Sequence, residues 1–195
     1  YNDDDAATPT YRPLNMYGYS KHMFDLWALQ SGALRQIVGL KYFNVYGPRE
    51  DYKGDMRSVI HKAHGQIRQT GTVQLFKSYK PGYADGEQKR DFIYIQDVVD
   101  VTLHFLEQRS LAGLYNCGTG QARTWKDLVT AVFVAMGKKP NIEFIDMPPG
   151  LREKYQYFTE AQTAKLRSQG QYQKAFTTLE AGITDYVKNY LALAK

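Results

Sequence analysis

The chain has 195 residues, 43% of them hydrophobic and 14% aromatic, which is the composition of a polypeptide that builds a sizeable core and not of a disordered one. Its formal charge of +5 is spread along the sequence with no dense Lys/Arg block of the kind that binds nucleic acid, and the mild positive excess suits a site for an anionic small molecule. One cysteine, Cys117, excludes an intramolecular disulfide and a multi-cysteine zinc site; with no run of about 18 apolar residues and no charged-then-apolar leader, the expectation is a cytoplasmic protein without membrane or nucleic-acid partners.

In chain order, a loop to Asn15 precedes an apolar-periodic segment from Tyr17 to about Leu34 that predicts a helix stopping near Gly32. "QIVGLKYFNVY", Gln36 to Tyr46, is β-branched, aromatic and nearly continuously apolar, as a strand buried on both faces of a parallel sheet would be. After the loop "GPREDYKGD" come a helix from Ser58 to Gln69, a short strand "VQLF" and a Pro/Gly-interrupted loop "KSYKPGYADGEQK". "RDFIYI" predicts a strand, Asp97 the start of a helix to about Gln108, and "GLYNCG" a strand ending in the turn "GTG". Thr124 is the expected N-cap of a helix stopped by Gly137, and "NIEFI" follows as a strand. The remainder is expected to be helical, with Thr177 and Glu180 in a capping-box pattern before the last helix. Helices alternating with strands predict an α/β fold.

Tyr17 and Lys21 stand four apart, so in a helix they share a face and can address one ligand together; alone, the pair fits either a proton-transfer site or a surface contact. His22, His61, His64 and His104 form no metal-ligating pattern and are expected to be surface residues, with no metal bound. Trp27 and Trp125 are expected in the core. No G-x-G-x-x-G occurs; Gly118 to Gly120 lacks the third glycine.

"YGYSK", "LKYFNVYGPRE" and "RDFIYIQDV", in that order, resemble the extended short-chain dehydrogenase/reductases of the nucleotide-sugar epimerase and dehydratase type. Within them, "YFNVYGPREDYKGDMRSV", "KRDF" and "LREKYQYFTEA" are similar to the ADP-heptose 6-epimerase family, from about Pro13 onward; the loop between Tyr79 and Lys89 is longer than in that family. The resemblance implies the C-terminal part of a Rossmann-type doubly wound parallel sheet plus a smaller α/β substrate-binding domain, with the N-terminal Gly-rich half absent from the sequence. Residues 1–45 and 91–120 would be the remnant of the NADP-binding domain, and 46–90 and 121–195 the substrate domain.

The activity implied is epimerisation of ADP-D-glycero-D-manno-heptose at C6'' in lipopolysaccharide core precursor synthesis, by oxidation to a ketone and re-reduction from the other face with tightly bound NADP, NAD being the alternative. Such a cycle calls for an acid/base on each face. By resemblance these are Tyr17 and Lys53, with Lys21, Val45 and Lys53 at the cofactor and Asn44, Asp55, Lys62, Phe76, Lys77, Ser78, Tyr79, Arg90 and Tyr155 at the ADP-sugar. A phenol acts as base once deprotonated, a form that a neighbouring ammonium favours. Arg90 is suited to clasp a diphosphate bidentately. The family also implies a homo-oligomer, a pentamer. Rival readings are a 4-epimerase or 4,6-dehydratase of the same superfamily, or a catalytically silent fragment, and the 195-residue chain alone is expected neither to bind NADP tightly nor to turn over.

Overall fold

Short polar side chains set the helix starts in this computed structural model, which describes residues 2–193. Asn15 accepts a hydrogen bond from the Gly18 backbone at 2.8 Å and opens α1, Met16–Gln30; Ser58 does the same for His61 and opens α2, Val59–Gln69. Gly32, at φ +75°, takes the chain out of α1 in a backbone conformation that other residues rarely adopt.

The stretch expected as one strand from 36 to 46 divides at Phe43 into β1, Val38–Tyr42, and β2, Asn44–Tyr46. The break is a change of neighbour. β1 runs parallel to β5, Gly113–Cys117, from Val38 opposite Gly113 to Tyr42 opposite Cys117; the Phe43 N–H still reaches the Cys117 carbonyl, and β2 then pairs in parallel with β4, Lys89–Tyr94. β4 is flanked on its other side by antiparallel β6, Ala122–Thr124, a strand not expected from the sequence. β3, Val73–Phe76, pairs in parallel with β7, Ile142–Ile145.

The helix α3 spans Ile95–Glu107, beginning two residues before the expected Asp97, whose carboxylate instead accepts from the Thr177 N–H and hydroxyl. Thr177 is thereby taken, so Thr178 caps α7, Leu179–Tyr186, and Glu180 pairs with Arg123 at 2.6 Å instead of closing a capping box. A true capping box forms at α4, Trp125–Ala135, between Thr124 and Asp127. The segment between β7 and α7 is mostly irregular, with two short helices, α5, Pro149–Arg152, and α6, Ala164–Ser168; a π-helical turn, Val187–Leu191, follows α7.

Alternation along β4 divides the core. Phe92 and Tyr94 face a cluster with Ile60, Ile67, Leu128, Val132, Phe133 and Ile183, supplied by α2, α4 and α7. Ile93 faces the opposite way, to Val98, Val101, Phe105, Tyr115, Cys117, Leu166 and Tyr172. A smaller cluster joins α1 to β5 through Ala28, Leu34 and Leu114. Trp125 is half-buried against the first core, but Trp27, expected inside, is 57% exposed because α1 turns His22, Asp25 and Ala28 inward instead. His22 and His64 are buried, contrary to the surface placement expected, and His104 is half-buried, its Nε2 2.7 Å from the Gly170 carbonyl.

Candidate active site

Ligands of parallel α/β sheets gather beyond the carboxyl ends of the strands, where neighbouring strands part. Asn44 and Val45 stand just past the end of β1, where the chain leaves β5 for β4; Asn44 is exposed and Val45 half-buried. β3 and β7 end together at Phe76 and Ile145, and the next residue of each, Lys77 and Asp146, forms an ion pair at 3.1 Å.

Around that pair is the largest grouping of expected site residues. The Tyr79 hydroxyl donates to Asp146 at 2.8 Å, and the Arg152 guanidinium lies 3.8 Å from the centre of the Tyr79 ring while donating to its hydroxyl and to the Met147 carbonyl. These contacts hold the Asp146 carboxyl below its ordinary range, first through Tyr79 and then Lys77, and push the Lys77 ammonium up through Asp146. Ser78 N–H donates to Asp85 in the long loop, and Tyr79 N–H to the Tyr157 hydroxyl at 3.0 Å. The Tyr157 ring is 5.5 Å from that of Tyr155, which lies 5.4 Å from the guanidinium carbon of Arg90.

Arg90 is buried between aromatic rings, with Trp125 at 5.8 Å on another side, and donates to the carbonyls of Lys89 and Gln156. Trp125 Nε1 donates to the Tyr155 hydroxyl at 3.0 Å, and burial pushes that phenol above its ordinary range. The structure thus brings Phe76, Lys77, Ser78, Tyr79, Arg90 and Tyr155 into one region, and adds Trp125, Asp146, Arg152 and Tyr157. Arg152, Tyr155 and Tyr157 lie in "LREKYQYFTEA", a signal present in the sequence; Asp146 had none, because its role depends on strand pairing.

A second grouping is the 3₁₀ turn Asp51–Met56, with a kink at Gly54. It carries Lys53 and Asp55, both exposed, and the exposed Lys62 of α2 donates from its ammonium to the Asp55 carbonyl at 2.6 Å. His61 Nε2 lies 3.0 Å from Asp51 Oδ1, and this hydrogen bond holds the Asp51 carboxyl below its ordinary range.

The third is the start of α1. Tyr17 is 72% exposed, and the Lys21 ammonium lies 5.3 Å from the centre of its ring, so the two do share one face of the helix. This arrangement fits the nicotinamide-ribose end of a dinucleotide: a phenol and an ammonium, both accessible, on one helical turn. The Gly118–Gly120 turn leads into the antiparallel strand β6 and not into a helix N-terminus. No group of three or more His, Cys, Asp or Glu among the described residues is placed to hold a metal ion.

A doubly layered α/β fold with parallel strand ends and a Tyr/Lys helix defines a class, and residues 1–118 match the profile of the NAD dependent epimerase/dehydratase family. The chain belongs to that family. It is 58% identical, over its whole length, to an ADP-L-glycero-D-manno-heptose-6-epimerase of Nitratidesulfovibrio vulgaris (strain DP4), of which it covers 60%. Among solved structures it resembles the ADP-L-glycero-D-manno-heptose-6-epimerase of Helicobacter pylori, with a TM-score of 0.77, 32% identity and coverage of 93% of this chain and 53% of that one. It also resembles the Thermus thermophilus UDP-glucose 4-epimerase solved with NAD, with a TM-score of 0.71, 29% identity and coverage of 94% and 56%. The chain thus spans about 60% of the length of the curated relatives it matches.

Proposed function

We propose that the natural protein interconverts ADP-D-glycero-D-manno-heptose and its L-glycero epimer at C6'', with NADP, in the supply of lipopolysaccharide core precursors in the cytoplasm. The observation that most supports this is identity of 58% along the whole chain with a relative of that name. The structural groupings are compatible with it: an accessible Tyr/Lys pair, an exposed lysine on a separate turn, and a cationic, aromatic region off the carboxyl ends of β3 and β7. When bound, the nicotinamide supplies reversible hydride exchange with the sugar carbon.

The chain's own residues then divide the remaining work. Tyr17 takes the hydroxyl proton on one face of the sugar and Lys53 serves the other, so a proton can leave and return whichever way the keto sugar is turned. Lys21 holds the cofactor ribose beside Tyr17, and Val45 packs near the ring. Asn44 orients the sugar. Arg90, already positioned by two carbonyls and two rings, lies against the ADP-sugar with Phe76, Lys77, Ser78, Tyr79 and Tyr155, and Asp55 and Lys62 line the pocket beside Lys53.

In domain terms, residues 1–45 and 91–120 serve the cofactor and 46–90 and 121–195 the sugar nucleotide, with Leu166 and Tyr172 of the latter packing against the core of the former. The protein acts as a homo-oligomer. Incubating the natural full-length polypeptide with ADP-D-glycero-D-manno-heptose should give the L-glycero epimer without net NADPH. Stoichiometric NADPH, a dehydrated product or epimerisation at C4 of a UDP-sugar would overturn the assignment. Replacing Tyr17 by Phe or Lys53 by Ala should lower kcat by ~10²–10⁴-fold, the usual loss for a positioned acid/base.

A further inference from the structure

Glu50 is a buried carboxylate that neither the cofactor nor the sugar chemistry uses. It stands immediately before the 3₁₀ turn that carries Lys53, and Ser58 stands just after it. Glu50 Oε2 accepts from the Ser58 N–H at 2.6 Å, and Oε1 accepts from the Ser58 hydroxyl at 2.5 Å and from the Tyr186 hydroxyl at 2.8 Å. Residues 51–57 are thereby closed into a loop on one buried carboxylate. Tyr186, at the end of α7, ties the stem to an element 136 residues away.

Resting on the acid/base role proposed above for Lys53, we propose that Glu50, Ser58 and Tyr186 are positioning residues that hold the Lys53 loop in register with the active site. Ser58 serves twice: its oxygen also accepts from His61 N–H as the cap of α2, so the stem and the helix share one hydroxyl. Within the loop, the Arg57 guanidinium donates to the Asp51 carbonyl at 3.0 and 2.5 Å, and Lys62 donates to that of Asp55, so the backbone around Lys53 is fastened from both sides. Burial, then the Glu50 hydrogen bond, raises the Tyr186 phenol above its ordinary range, which keeps it a donor to the carboxylate. Three donors on a buried carboxylate make the arrangement exacting, because losing one leaves part of the charge unsatisfied in a dry environment.

The arrangement is a device for precision. A lysine has four rotatable side-chain bonds, and a loop that wanders by about an ångström can forfeit a large part of the rate of a reaction that depends on orientation. Fastening the loop base to α7 removes the backbone's share of that freedom while leaving the ammonium accessible.

The test uses the natural full-length polypeptide with Tyr186→Phe, which keeps the ring in the core, and Ser58→Ala, with Ser58→Thr as the conservative partner. Amide hydrogen exchange should accelerate by about tenfold or more for residues 51–57 in Tyr186→Phe and Ser58→Ala, with the amides of β4 and α4 unchanged. Epimerase kcat should fall by about tenfold with KM for the ADP-sugar within about twofold, and Ser58→Thr should restore both readouts. Unchanged exchange in the loop would overturn the clamp. Faster exchange with normal kcat, while Lys53→Ala abolishes turnover, would overturn positioning and leave the Lys53 role standing. Normal turnover in Lys53→Ala itself would identify the functional assignment as the part that failed, whatever the loop does.

Discussion

The sheet is finished differently over β4 and over β5. Over Phe92 and Tyr94 of β4, α2, α4 and α7 close a layer that buries Ile60, Ile67, Leu128, Val132, Phe133 and Ile183. Over β5, α1 reaches Leu114 through Ala28, the one apolar residue of α1 that is fully buried, while Met16, Met23, Phe24 and Trp27 point to solvent. The two proposed acid/base groups belong one to each region: Lys53 to a loop clamped to the closed layer, Tyr17 to the bare helix. Apolar patterning therefore says that a face is meant for burial, but not by what, and only on the closed side does the described chain itself supply the answer.

Truncating one buried and one exposed ring separates the two regions most directly. Phe133→Ala removes a fully buried ring from the closed side and should cost ~3–5 kcal/mol, whereas Trp27→Ala removes a larger ring from the open side and should stay within about 0.5 kcal/mol. Urea unfolding of the two variants beside the parent chain measures both. A Trp27→Ala cost near that of Phe133→Ala would mean that α1's outer face is covered in solution and that the sides are alike.

How far the sequence anticipated this follows the same divide. Elements with a local signal were legible: Thr124 as a cap, the helix from about Ser58 to Gln69, the helix stopped near Gly137, the continuous apolar run of β1 and β2, and the ordered motifs that carry Tyr17, Arg90 and Tyr155. What was misread depended on partners far away. Thr177 has the capping-box spacing to Glu180, yet Asp97, 80 residues earlier, takes it, and Thr178 caps α7 instead. The break at Phe43 is invisible in "LKYFNVY" because it exists only where β1 leaves β5 for β4. β6 has three residues after a glycine turn, too few for a period. Asp146 and Glu50 read as an ordinary strand end and a motif residue until β7 and Tyr186 are placed beside them. Trp27 was expected inside on its apolarity, and the polar His22 and Asp25 were turned inward in its place.

A smaller effect separates the sides by pH. His64 is buried on α2 in the closed layer; burial comes first, then the charges of Arg68, His61 and Lys138, in holding its imidazole below its ordinary range. With the folded pKa depressed, the neutral ring's contribution is complete above the unfolded value of about 6.5 and is lost as pH falls through the folded one, because the unfolded chain takes up a proton that the native chain refuses. Stability from urea unfolding should therefore decline from pH 7.5 to 5.5, and His64→Gln should flatten that decline. An unaltered slope in the variant would place the pH dependence elsewhere and would weaken the picture of α2 as fully enclosed.

The smallest effect expected is a reaction that does not happen. Cys117 ends β5 on the Ile93 side of the sheet, fully buried among Ile93, Val98 and Tyr115, and its thiol is pushed up to about 12 by burial first and then by the carboxylates of Asp97 and Asp91. Since the thiolate is the reacting form, both access and protonation protect it. A thiol reagent at pH 8 should leave the folded chain unlabelled over the time in which the urea-unfolded chain reacts completely. Leu114, three residues earlier, faces the other side of β5 and meets α1, so the experiment also reads whether openness spreads through the strand. If labelling in the folded chain is slow and Trp27→Ala leaves it slow, the bare helix is a surface feature only. If labelling is fast, β1 and β5 part locally in solution, and the contrast between the sides extends from the helix into the sheet itself.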